Sequence, residues 1–128
     1  MVTLGLDAST TTIGWSFFSD KLIDCGFVDI HKLTTNKEKA YSFISFIRQH
    51  DMLNQCDVIV LESALCAFIG GFTSQQTILT LSRWNAIFEY ILQEEFPDKC
   101  VIVEGVNTIR KNVFNKCRVK GMKPKEFV

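Results

Sequence analysis

Short apolar runs separated by polar turns open the chain. Val2–Asp7 and Trp15–Phe18 are rich in residues that favour strands, and Cys25–Ile30 follows the polar turn at residues 19–21. Parallel strands need long crossover connections, whereas antiparallel neighbours need only short links. The first thirty residues therefore predict three strands in an antiparallel meander.

Helical periodicity follows. Thr35–Glu38 has the pattern of a capping box, which predicts a helix running to about Gln49. Its expected buried face consists of Ala40, Phe43, Ile44 and Ile47. A second capping box, Thr73–Gln76, predicts a longer helix that ends near Gln93. Its broad apolar stripe, which we expect to be core, consists of Ile78, Leu81, Trp84, Ile87, Phe88, Ile91 and Leu92.

Two more strands are predicted between and after these helices. Val58–Glu62 is an apolar run that ends in a glutamate, and Val101–Val103 supplies a fifth strand. Thr108–Phe114 predicts a short helix, and Lys123–Glu126 resembles the first turn of another, with a proline in its first turn. A meander followed by strand, helix and strand predicts a mixed α/β sheet, antiparallel in its first three strands and then parallel. Helices flank this sheet, and its first and fourth strands lie adjacent at the centre.

Length and composition indicate one domain over residues 1–128. The chain is 47% hydrophobic, and it contains no apolar run of membrane-spanning length and no secretory signal pattern. We therefore expect a cytoplasmic protein with no membrane partner. The five cysteines lack the spacing of a zinc site, which predicts buried free thiols in a reducing compartment.

The net charge of zero conceals a strong segregation of charge along the chain. Residues 1–109 contain 7 Lys and Arg against 13 Asp and Glu, a net charge of −6. Residues 110–128 contain 7 Lys and Arg against a single acid, a net charge of +6. A basic segment of this kind is either ordinary solvated surface or a contact site for a polyanion.

Two acids stand where strands end. Asp7 closes an apolar strand and opens a turn rich in glycine and hydroxyl residues, and Glu62 closes the strand predicted to lie beside it. Two carboxylates at the ends of neighbouring central strands can hold a divalent cation. The alternatives are a turn-forming role for Asp7 and an ordinary strand exit at Glu62. Neither His31 nor His50 has a partner motif, so both are predicted to be surface histidines.

The segment Leu4–Trp15 resembles the first motif of the RuvC family of Holliday-junction resolvases in its divergent phage and viral form. That motif reads apolar-Gly-apolar-Asp, then Pro-Gly, hydroxyl residues and Gly-Trp; here Ala8-Ser9 replaces Pro-Gly. Glu62 matches the second acid of the family, and Val106–Lys111 resembles the segment after the fifth strand. The similarity covers nearly all of the chain and implies a ribonuclease H-like fold.

The resemblance also implies an activity and a set of site residues. It indicates a structure-selective endonuclease that resolves four-way DNA junctions as a homodimer, with Asp7 and Glu62 as ligands of Mg²⁺ or Mn²⁺. A loop from Ser63 to Phe72 would approach the junction. The residues it implies in DNA contact are Phe68, Arg110, Lys120, Lys123 and Lys125.

One departure from the family pattern concerns the last helix. The family carries two further acids there, whereas this sequence reaches Val128 without such a motif. We therefore interpret the C-terminal helix as missing or incomplete and the chain as truncated, with half of the expected metal site and with activity in doubt. Two alternatives remain: a catalytically inactive nucleic-acid-binding module of the same fold, and an ATP-binding fragment of the actin and sugar-kinase superfamily.

Overall fold

The computed structural model describes residues 1–63 and 75–105. The helices and strands of these residues, in chain order, are β1 Val2–Ala8, β2 Thr12–Phe18, β3 Leu22–Asp29, α1 Asn36–Ile47, a 3₁₀ helix Asp51–Gln55, β4 Cys56–Ser63, α2 Gln75–Glu95 and β5 Cys100–Gly105. All five predicted strands and both long helices are confirmed. The 3₁₀ helix was not predicted from the sequence.

The five strands form one mixed sheet in the order β3-β2-β1-β4-β5. β1 pairs antiparallel with β2, and β2 pairs antiparallel with β3. β1 pairs parallel with β4, and β4 pairs parallel with β5. The predicted fold class and the central pairing of the first and fourth strands are therefore confirmed.

Helix α1 begins at its predicted cap. The Thr35 hydroxyl accepts a hydrogen bond from the Glu38 backbone N–H at 3.1 Å, which satisfies one of the amides that every helix start leaves without a partner. All four apolar residues expected on its inner face are buried. The confirmed periodicity explains how α1 contributes this face to the hydrophobic core.

Helix α2 buries the C-terminal half of its apolar stripe most completely. Trp84 and Phe88 are fully buried and stack with their ring centroids 5.0 Å apart. Phe43 of α1 meets Phe88 edge-on at 5.7 Å, so aromatic contacts join the two helices. The predicted stripe members Ile78, Leu81 and Ile87 are only half-buried.

The two faces of the sheet differ in character. Side chains alternate between faces along a strand, so Leu4, Leu6 and Ala8 of β1 point to the face that packs against both helices in a single core. The intervening residues Gly5 and Asp7 point to the opposite face, which neither helix covers. The candidate site lies on that second face.

A buried lysine joins the 3₁₀ helix to the turn before β5. The Lys99 side chain is 7% exposed, and its Nζ donates to the carbonyl oxygens of Leu53 and Cys56 at 2.9 and 2.7 Å. These carbonyls lie where the 3₁₀ helix gives way to β4, and the Leu53 carbonyl also accepts from the backbone N–H of Cys56. The ammonium group therefore supplies a further donor to the junction between these two elements.

The cysteine prediction is correct in part. Of the three cysteines in the described residues, all are free thiols, but only Cys56 is buried. Cys25 and Cys100 are exposed, and the register places both on the face of the sheet opposite α1 and α2. Burial raises the pKa of the Cys56 thiol. Within residues 1–63 and 75–105, no helix is long and apolar enough to cross a bilayer.

Candidate functional site

The register between β1 and β4 brings the two predicted acids together. Leu6 pairs with Leu61 across these parallel strands, and each leucine is followed directly by an acid. Paired residues of adjacent strands point to the same face, and neighbouring strands lie about 4.8 Å apart. Asp7 and Glu62, both half-buried, therefore extend side by side from the face opposite α1 and α2, near the C-terminal ends of β1 and β4.

A third acid continues this line. Glu104 of β5 pairs directly with Glu62, which produces a row of three acids across three neighbouring strands, named here the acidic row: Asp7, Glu62 and Glu104. Sequence reasoning missed Glu104. The signal was present, because the apolar run that ends in Glu104 repeats the pattern that ends in Glu62.

Gly14 lies on the other side of Asp7. It belongs to β2 and pairs with Asp7, so it points to the same face of the sheet. Apart from its chain neighbours, only Asp7 among the described residues comes within 4 Å of a Cβ built at Gly14, and its nearest atom is 3.8 Å away. The described residues thus leave room for a methyl-sized group at this position.

The turn between β1 and β2 is organised by Ser9. Its hydroxyl accepts from the backbone N–H of Thr12 at 3.0 Å and donates to the Thr12 carbonyl at 3.0 Å, while its own backbone N–H donates to that carbonyl at 2.9 Å. Serine forms such local hydrogen bonds readily because its hydroxyl is short and both donates and accepts. Ala8-Ser9, which stands where the resolvase motif has Pro-Gly, therefore still produces a tight turn after Asp7.

Both helices anchor this turn from the core side. On α2, Trp84 Nε1 donates to the Ser9 carbonyl at 2.8 Å and Asn85 Nδ2 donates to the Ala8 carbonyl at 3.3 Å. On α1, Lys39 Nζ donates to the Thr10 carbonyl at 2.7 Å. The backbone that follows Asp7 is consequently held in place by side chains from two helices.

The next carbonyl of the turn is held as well, because the backbone N–H of Ile30 donates to the oxygen of Thr11 at 2.8 Å. Every carbonyl oxygen from Ala8 to Thr12 thus accepts a hydrogen bond from the protein itself. A ligand at this turn would meet hydroxyl groups and the Asp7 carboxylate rather than free backbone acceptors.

Carboxylates side by side suit a hard divalent cation such as Mg²⁺ or Mn²⁺, which takes oxygen ligands. Asp7 and Glu62 fit this chemistry as a pair. Within the part of the chain that the structure describes, no three His, Cys, Asp or Glu side chains converge closely enough to hold a metal ion. Among the described residues, Asp7 and Glu62 thus form a two-carboxylate site, and any further ligands of an ion would come from elsewhere.

The remaining predicted site residues lie outside the described residues: Phe68, Arg110, Lys120, Lys123 and Lys125. The same holds for most of the predicted loop and second capping box, for the helix Thr108–Phe114 and for the helical turn Lys123–Glu126. These assignments stay predictions from the sequence.

The arrangement of strands and helices is similar to that of a known nuclease. The structure of RuvC from Thermus thermophilus superposes with a TM-score of 0.62 at 14% sequence identity, over 94% of this chain and 74% of RuvC. The same protein bound to a Holliday-junction substrate gives a TM-score of 0.62 at 14% identity, over 87% of this chain and 68% of RuvC. The fold is ribonuclease H-like.

A sugar kinase shares part of this fold. The ROK hexokinase from Thermus thermophilus superposes with a TM-score of 0.51 at 18% identity, over 82% of this chain but only 34% of the kinase. No protein-family model and no curated protein sequence matches the chain. At these identities the similarity establishes the ribonuclease H-like fold alone, and function has to be argued from the site.

Proposed function

We propose that this chain is a metal-dependent endonuclease that acts on branched DNA, with four-way junctions as the principal substrate. The observation that supports this proposal best is the register Leu6–Leu61, which sets Asp7 beside Glu62 on an open face of the sheet. These are the same two strand-end acids that match the resolvase motifs in sequence.

In this proposal each described residue has a defined task. Asp7 and Glu62 would hold Mg²⁺ or Mn²⁺ between them and against a phosphate of the DNA backbone. The bound cation supplies activation of water and stabilisation of charge on the leaving 3′ oxygen during phosphodiester hydrolysis. The Ser9 turn, anchored by Trp84 and Lys39, keeps the Asp7 backbone in one position, so the carboxylate is oriented before substrate binds.

The basic C-terminal segment supports the same substrate class. A net charge of +6 over residues 110–128 matches the requirements of phosphate contact, which needs no sequence-specific geometry. We further propose a homodimer, because two symmetric nicks at a four-way junction require two active sites related by a twofold axis. Light scattering during gel filtration would measure the oligomeric state directly, and a monomer at micromolar concentration would contradict the dimer.

The test is cleavage of a labelled four-way junction by the natural protein, including whatever follows Val128 in its gene. We expect incision that depends on Mg²⁺ or Mn²⁺, and we expect Asp7→Asn and Glu62→Gln each to abolish it while leaving junction binding intact or stronger. Both substitutions keep the shape of the side chain and remove one negative charge that faces the phosphates.

Asp57→Asn is the matched control, because Asp57 is an exposed acid near the opposite end of β4. This variant should cut at the wild-type rate. Junction binding without any metal-dependent cleavage would replace the enzyme with an inactive binding module. ATP turnover without junction binding would instead favour the sugar-kinase alternative.

A further inference from the structure

An exposed phenylalanine lies on β3, which is an edge strand of the sheet that contains the three acids. Phe27 of β3 is 75% exposed, the largest exposure of any aromatic side chain in the described residues. Single exposed apolar side chains are common on protein surfaces and need no explanation by themselves. What distinguishes Phe27 is that its ring lies on the same face of the sheet as the acidic row.

The strand register places Phe27 in line with the acidic row, two strands beyond Asp7. Asp7 pairs with Gly14 across β1 and β2, and Gly14 pairs with Phe27 across β2 and β3. All three therefore point to the same face, at intervals of about 4.8 Å, so the Cα atoms of Asp7 and Phe27 lie about 10 Å apart. Within the strands that the structure describes, Gly14 is the residue between the carboxylate and the ring, and its side chain is a hydrogen atom.

The surroundings of the ring are small and polar. Its neighbours on the same face of β3 are Cys25 and Asp29, and those on β2 are Thr12 and Ser16. An isolated ring among such residues provides too little apolar area for a stable protein interface. A nucleobase suits this position better, because it is planar, its face can stack on the ring, and its edges carry polar groups.

We propose that Phe27 is a DNA-contacting residue whose ring stacks on a nucleobase of the strand that the acidic row engages. This inference rests on the proposed nuclease function, and it specifies how that site positions its substrate. The span of about 10 Å corresponds to about three base-pair rises of ~3.4 Å along the axis of a duplex. The gap at Gly14 leaves the intervening backbone room to lie flat on the sheet.

The experiment compares Phe27→Ala, Phe27→Trp and the control Ile23→Ala. Ile23 lies on the same strand and is 43% exposed, but it stands at the irregularity near the start of β3 and is remote from the row. We expect Phe27→Ala to weaken junction binding by about tenfold or more and Phe27→Trp to restore it, because stacking tolerates any aromatic ring. Ile23→Ala should bind as the wild type does.

Phe27→Trp also provides a direct signal, since the native Trp15 and Trp84 are buried. Quenching of the new exposed tryptophan by junction DNA, beyond any change in the wild type, would support stacking. Wild-type affinity in Phe27→Ala together with an unquenched tryptophan would overturn it while leaving the nuclease proposal intact. Quenching in a protein that never cuts DNA would support the stacking and refute the nuclease. A protein that binds no DNA would overturn both.

Discussion

Single residues set how tightly β2 and β3 can pack, and Gly26 is the clearest case. A Cβ built at this position would lie 2.8 Å from the ring of Trp15, a distance at which the indole must shift. We expect Gly26→Ala to lower the free energy of unfolding by about 1–3 kcal/mol, as overpacking of a core usually does. Urea denaturation would measure the loss.

Gly14→Ala is the matched control for this prediction, since a Cβ there comes no nearer than 3.8 Å to a described atom. It should cost less than about 1 kcal/mol, the ordinary range of a surface substitution in a strand. Equal losses for the two variants would mean that contact with Trp15 does not determine the cost at Gly26.

Lys99 should contribute to stability through its buried ammonium group. Its two hydrogen bonds to the carbonyls of Leu53 and Cys56 are charge-assisted, and such bonds are worth ~1.5–3 kcal/mol each. We expect Lys99→Met to lower the free energy of unfolding by about 2 kcal/mol or more in chemical denaturation. Lys21→Met, at an exposed turn position, should have almost no effect; a similar loss there would show that general charge, and not the buried contact, is responsible.

His50 and Asp24 make stability depend on pH. His50 Nδ1 accepts from the Met52 N–H, so its proton is on Nε2 and is donated to Asp24 at 2.7 Å. This hydrogen bond is the main cause that lowers the pKa of Asp24 below its ordinary value of 3.8. The contact therefore stabilises the fold above that value, and its contribution is lost as the pH falls through the lowered pKa.

Asp24→Asn should consequently reduce stability at pH 6 by less than about 1 kcal/mol, because the carboxylate is half exposed. The difference from the wild type should shrink as the pH falls below 3.8. Denaturation curves of both proteins at pH 6 and pH 3 would measure it, and an unchanged difference would contradict the assignment.

The roles of single residues could be predicted from the sequence only where they depend on residues nearby in the chain. Asp7 and Glu62 could be identified because each ends a recognisable strand, and Glu104 follows the same rule. His50 was predicted to be a surface histidine, but its side chain is only 20% exposed, and it pairs with Asp24, which lies 26 positions away. Lys99 was missed for the same reason: its acceptors belong to a chain reversal more than forty residues earlier.

At the scale of elements, α2 supports the candidate site through hydrogen bonds from Trp84 and Asn85, of which the Trp84 bond is the shorter. Trp84→Phe keeps the apolar ring in the core but removes the donor to the Ser9 carbonyl. A buried acceptor without a partner costs ~1–3 kcal/mol, so we expect a loss of stability in that range. Because the turn follows Asp7 directly, junction cleavage should also slow. Tyr90→Phe, an exposed position on the same helix, should change neither property.

The elements themselves were largely predictable because their patterns are local. Thr35 and the four apolar residues of α1 specify that helix without reference to the rest of the chain. The start of β2 was less accessible: the strand begins at Thr12, whereas the content of strand-favouring residues predicted a start at Trp15. The difference arises from the Ser9 turn, whose hydrogen bonds to Thr12 bring the chain into the sheet three residues early. The 3₁₀ helix escaped prediction because its cap is a histidine side chain.

For the whole molecule, the segregation of charge predicts a salt dependence. If Lys120, Lys123 and Lys125 contact phosphates, replacing all three with Gln should flatten the slope of log affinity against log salt by about 0.9 for each phosphate that is no longer neutralised. Titration of a labelled junction at several salt concentrations would measure this slope. Neutralising the exposed lysines Lys21, Lys32 and Lys37 in the same way is the control, and it should leave the slope unchanged. Equal slopes in all three proteins would identify the segment as solvated surface.

The central claim is that Asp7 and Glu62 share one divalent cation at a DNA phosphate. Anomalous diffraction from crystals of the protein bound to a four-way junction in Mn²⁺ tests it most directly. We predict a manganese peak between the two carboxylates, about 2.0–2.6 Å from an oxygen of each, with a backbone phosphate completing the ligands. Carboxylates more than ~8 Å apart, or no peak at saturating Mn²⁺, would contradict the account. Since each oxygen must lie about 2.0–2.6 Å from the ion, carboxylates that far apart cannot share one.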